Sequence, residues 1–198
     1  MGSSPMVTTN HTSGRRRRLR LAGVCAMTLA LAAGAIALPA TPAHAADPIT
    51  AADQSYFAYY HLDQARAKGY TGKGVTIALI DGPVDTNVAE LTGANITDKS
   101  RCTIEASMAG RYHASGLAAV LVSQNYGVAP DATLYTYQAA SDDDPSAGTC
   151  MQGNKRLDTF ANLINQAIDD GAQIISVSQS SGDHSENLKW AIARAMSQ

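Results

Sequence analysis

The residues best able to do chemistry in this 198-residue chain are few and widely spaced. Asp81 stands where the apolar run Val75 to Ile80 of GVTIALIDGPVDTN ends, and His113 follows 32 residues later in GRYHASGLAAVL. A carboxylate leaving a run that has every reason to be buried either faces a functional crevice or caps its own turn in DGPVD; from position alone both stand. Cys102 and Cys150 form an even pair. In an exported chain they are expected to form a disulfide closing a loop of about 50 residues, worth on the order of 3 to 4 kcal/mol, with two free thiols as the alternative. Asp142 to Asp144 reads as a solvated acidic loop. No spacing resembles a dedicated metal site, so neither metal nor cofactor is expected.

These residues need elements to position them. Leu62 to Lys68 has helical spacing and stops at Gly69, and the turn Thr71 to Gly74 then launches the strand Val75 to Ile80. Ala114, Leu117, Ala118 and Leu121 place a helix over His113 to Ser123, and a second strand, Thr133 to Tyr137, follows GVAPDA. Leu157, Phe160, Leu163, Ile164, Ala167 and Ile168 mark an amphipathic helix ending at Gly171, a residue suited to a left-handed cap. Ile174 to Ser178 is the third strand. Asp183 or Ser185 can cap a last helix carrying Leu188, Ala191, Ile192 and Ala195 to the end of the chain. Strands alternating with helices predict an α/β fold, a doubly wound parallel sheet with helices on both faces, which explains why Val75 to Ile80 is apolar throughout. Asp81 then lies at the carboxyl end of a strand, where functional groups of such sheets collect.

Residues 1–45 read as a secretory signal: a polar start, the basic cluster Arg15 to Arg18 with Arg20, an apolar stretch from Leu21 to Leu38, and the small-x-small site Ala43-His44-Ala45. Cleavage after Ala45 predicts a secreted, extracellular protein with no membrane anchor. A spanning helix is the rival reading of the same stretch, and the consecutive arginines allow twin-arginine export. The mature chain keeps ten basic and 17 acidic residues, a net charge of about −7, so nucleic acid is not an expected partner. Its 153 residues can bury roughly two thirds of their unfolded surface, enough for one core. Asn95-Ile96-Thr97 is a glycosylation sequon that matters only in a eukaryotic secretory route.

Taken in order, several segments resemble the subtilisin-like serine proteases, or subtilases, over Tyr60 to Gln198. TGKGVTIALIDGPVD resembles the segment carrying the catalytic aspartate, and DGPVD is similar to the form in subtilases that process ribosomal peptide precursors. GVAPDATLYTY is similar to the GVAP segment and its strand, and IISVSQSSGD resembles the strand lining the peptide cleft. The resemblance implies the N-terminal half of a subtilisin-like fold, with a short segment 46–59 ahead of a partial peptidase domain at 60–198. It implies Asp81 as the triad acid and Ser176, Ser178, Gln179 and Ser180, within Ser176 to Ser181, as substrate-binding residues that pair with an extended peptide or protein substrate. The histidine segment admits two registers against the family's HGTHVAG. In one, His113 is the catalytic histidine and Ser115 stands near the start of its helix. In the other, HASG matches HVAG and the catalytic position falls on Gly110. In the first register Asp81 would fix the imidazole tautomer and stabilise the imidazolium formed when His113 takes a proton from serine, against a helix N-terminus that disfavours charge there.

No segment like GTSMAxP supplies the family's serine, nor its oxyanion asparagine. GTCM, at Gly148 to Met151, offers a thiol in the wrong place, so Cys150 is expected in a disulfide or a plain loop. Since triad members act as a unit, the chain by itself is expected to be inactive, its family activity being serine endopeptidase cleavage. A missing C-terminal half, a split protease completed by another polypeptide, and a non-catalytic peptide-binding module are the three ways to account for it. Truncation would also leave apolar faces on the last helix, Trp190 and Met196 among them.

Overall fold

The computed structural model describes residues 48–140, 148–180 and 182–197; the expected signal, the run Asp142 to Asp144 and Ser181 lie outside them. Short helices α1 (Ser55–Tyr59) and α2 (Leu62–Ala67) lead into strand β1 (Thr76–Asp81) and strand β2 (Asn95–Asp98). Helix α3 (Met108–Val122), strand β3 (Thr133–Gln138) and a small hairpin, β4 (Met151–Gln152) with β5 (Lys155–Arg156), come next. Helix α4 (Phe160–Asp169), strand β6 (Ile174–Val177) and helix α5 (Glu186–Met196) complete the order. The main sheet runs β2-β3-β1-β6 with every pairing parallel.

Strand β1 is central and dry on both sides because side chains alternate across a pleat. Ile77 and Leu79 pack on Ala118, Ala119 and Val122 of α3. Ala78 and Ile80 pack on Ala161, Ile164 and Ala167 of α4 and Ala191 of α5. Helices thus cover both faces, and the fold is a doubly wound α/β sheet. Full burial of each of the larger side chains stabilises the chain by about 1.5–3 kcal/mol. Among the described residues no helix is long and apolar enough to cross a membrane.

Several boundaries differ from those expected. Phe57 of α1 is buried with the α3-side core, so the folded unit takes in residues ahead of Tyr60. β2 was not anticipated: NITD offers one apolar residue, and the strand forms because β3 presents an open edge to it. α3 starts at Met108, five residues before His113, because the Ser107 side chain accepts a hydrogen bond from Gly110 N–H and carries the helix through the glycine. Leu157 is not part of α4, which begins after its cap Thr159. It packs with Ile104 and Cys150 in a satellite core instead. Of the two candidate caps for the last helix, Ser185 is the one that accepts from Leu188 N–H.

Candidate active site

The alternation along β1 decides where Asp81 points. Two residues beyond Leu79, it shares the α3 face, and α3 presents His113 to it: His113 Nδ1 lies 3.0 Å from Asp81 Oδ1. The carboxylate side chain is wholly buried and the imidazole about half exposed (49%). Asp81 Oδ1 also accepts a hydrogen bond from Gly82 N–H at 2.8 Å, and Asp81 Oδ2 is buried with no partner among the described residues. A carboxylate oxygen only accepts, so the shared proton sits on Nδ1 and the lone pair of Nε2 is left to take a proton. Such an arrangement can act chemically as an oriented base.

His113 lies in the second turn of α3 rather than at its N-terminus. The N-terminal placement expected from the sequence does not hold, and the helix dipole acts mainly within the first turn. Ser115 is likewise inside the helix, not at its start. Its hydroxyl donates to Arg111 C=O at 2.8 Å and accepts from Asp85 N–H at 2.9 Å, tying the loop after β1 to the helix. Gly82 makes the second close approach: a Cβ there would stand 3.2 Å from Gly110 C=O. Neither contact was anticipated from the sequence; a glycine directly after the aspartate was the available signal.

The segment entering α3 is fastened to β3. Gln138 Oε1 accepts from Ile104 N–H, Gln138 Nε2 donates to Asp98, and Ser100 Oγ accepts from Gln138 N–H. A disulfide joins Cys102 to Cys150, so Cys150 is no free nucleophile. Buried Asp158 accepts from Cys150 N–H at 3.2 Å and from Arg156 Nε at 3.0 Å. Glu105 C=O accepts from Gly148 N–H, completing the clasp between the two loops.

The other expected residues lie at the same end of the sheet. β6 pairs with β1 so that Leu79 matches Ser176 and Ile80 matches Val177; Ser178 therefore follows alongside Asp81. Ser176 and Gln179 are half-buried, and Ser178 and Ser180 are exposed. Gln179 Oε1 is buried with no partner among the described residues. Among those residues no cluster of three or more His, Cys, Asp or Glu could hold a metal ion.

No protein-family model matches the chain, and no curated protein matches it. Solved structures do. The prenylagaramide maturation protease PagA is 22% identical with a TM-score of 0.49, the match covering 69% of this chain and 47% of that one. The patellamide maturation protease PatA is 22% identical with a TM-score of 0.46, covering 64% and 46%. MycP1 from the ESX-1 type VII secretion system is 23% identical with a TM-score of 0.48, covering 70% and 41%. This chain thus spans about half the length of the structures it matches.

Proposed function

We propose that the chain supplies the acid–base half of a secreted subtilase-type serine endopeptidase. Asp81 orients and stabilises His113, and His113 acts as general base toward a serine and then as general acid toward the leaving amine. The carrying observation is the contact of 3.0 Å between His113 Nδ1 and buried Asp81 Oδ1, which supports the register that puts His113 at the catalytic position. Ser176, Ser178, Gln179 and Ser180 would bind an extended peptide beside the dyad. The serine and oxyanion donor are proposed to come from polypeptide beyond these residues, continuous with them or separate.

The test combines the chain, alone and together with the polypeptide encoded directly downstream, with a fluorogenic peptide library. The expected result is cleavage only in the combination, falling roughly 10⁶-fold in His113→Ala and roughly 10⁴-fold in Asp81→Asn. Cleavage indifferent to His113 would overturn the assignment. A second reading, a peptide-binding module without chemistry, draws on the open edge of β6, where Ile174 and Val177 are 50% and 40% exposed. Calorimetric titration with extended peptides checks it, and silence toward every peptide would remove it.

A further inference from the structure

Asp81 ends a strand and His113 rides on a helix, and the chain between them runs through the loop of residues 82–85 and well beyond. Nothing in either element alone fixes their separation. Beyond the packing of Ile77 and Leu79 on α3, two contacts of that loop with α3 act nearest the pair. Gly82 packs against Gly110 C=O so closely that an added Cβ would meet that oxygen at 3.2 Å and Ala114 Cβ at 3.8 Å. Ser115 Oγ accepts from Asp85 N–H at 2.9 Å. The two contacts bracket His113, three residues before it and two after it on the helix. A serine hydroxyl has one proton, and that of Ser115 is committed to Arg111 C=O at 2.8 Å. Its lone pairs therefore face the loop amide, and the direction of the bond is set. Ser115 is buried, so water does not readily replace it.

We infer that Ser115 is a positioning residue for the dyad: its hydroxyl, with the close seat of Gly82, fixes the loop against α3 and thereby the spacing that keeps the His113 proton on Nδ1. The inference rests on the Asp81–His113 pair of the proposed function but not on turnover. An imidazole released from its carboxylate reverts to the Nε2–H tautomer that free histidine favours, whereas a residue with a purely structural role would change stability and leave the tautomer alone.

The experiment is nitrogen NMR of the full chain carrying labelled histidine, with the His113 signals assigned by their loss in His113→Gln. The wild-type chain is expected to show the Nδ1–H tautomer, and Asp81→Asn to lose it. Ser115→Ala is expected to lose Nδ1–H signal in favour of Nε2–H, and Ser115→Thr, which keeps the hydroxyl, to retain the wild-type ratio. A folded Ser115→Ala chain with the wild-type tautomer overturns the inference while leaving the dyad intact. A wild-type chain without an Asp81-dependent Nδ1–H signal overturns the dyad itself. Should Ser115→Ala fail to fold, Gly82→Ala decides: loss of the Nδ1–H signal supports the loop seat, and its retention overturns it.

Discussion

At the residue scale, the buried acceptors carry the heaviest consequences. Asp158 is almost wholly buried, and its carboxylate satisfies the Cys150 amide as well as the Arg156 guanidinium. Because the Arg156 side chain is 42% exposed, the ion pair itself adds little; the amide left unsatisfied is the larger loss. Asp158→Ala is expected to lower stability by about 2 kcal/mol in urea unfolding, and an effect within 0.5 kcal/mol of zero would refute that account. His61 shows the opposite case. It is a non-glycine residue at φ 54° and ψ 41° ahead of α2, a conformation that costs an L-residue roughly 1–2 kcal/mol. Glycine escapes that cost but loses roughly 0.5–1 kcal/mol of extra chain entropy. His61→Gly is thus expected to raise stability by up to about 1.5 kcal/mol, and a fall would show that the imidazole makes compensating contacts.

At the scale of elements, the clasp between the loop before α3 and the hairpin gives a redox prediction. The disulfide spans 48 residues of sequence, so its removal by the paired change Cys102→Ser and Cys150→Ser is expected to cost about 3 to 4 kcal/mol. Thermal unfolding with and without reductant reads this directly, and coincident transitions would contradict it. Between β3 and α4 lies a pH-sensitive contact. Burial, then the hydrogen bond from its hydroxyl to Asp170, pushes the phenol of Tyr137 far above the ordinary tyrosine value. An unfolded tyrosine ionises near about pH 10, while the folded one stays protonated. Above that pH the native state binds more protons than the unfolded state, and stability falls as pH rises. Burial also raises Tyr126 and Tyr56, so Tyr137→Phe should flatten the alkaline fall without abolishing it. Urea midpoints across the alkaline range provide the check. The strands and helices that were legible in the sequence are those whose apolar residues face a core: β1, β3, α4 and α5 announced themselves by continuous or periodic apolar residues. β2 did not, because a sheet edge needs only Ile96 to be apolar, and the hairpin β4–β5, exposed along its whole length, carries no burial signal. The start of α3 was hidden by Gly110, since a cap acts through one hydroxyl that composition does not reveal. The resemblance singled out Asp81 and left the histidine segment in two registers, one of them on His113; the loop contacts of Gly82 and Ser115 are tertiary and leave no periodic trace.

At the scale of the whole molecule, the two edges of the sheet are unlike. β2 is polar and tied to β3 by Asn95 Nδ2 donating to Thr133 Oγ1, whereas β6 exposes Ile174 and Val177 beside a helix that exposes Trp190, Ile192 and Met196. An unprotected edge next to exposed apolar surface favours pairing with another strand. Concentration-dependent association of the isolated chain is expected in sedimentation velocity, and Val177→Lys should weaken it about tenfold, or about 1.4 kcal/mol. A monomer at every concentration would show that the edge is shielded.

The odd-and-even order of β1 has one more outcome for anyone redesigning this protein. Ile77, Leu79 and Asp81 face α3, while Ala78 and Ile80 face α4 and α5. Deleting a single residue from this strand would swing the carboxylate to the opposite side, among methyl groups with no imidazole to meet. Length changes here are tolerable only in pairs, and evolution of the strand is bound by the same parity.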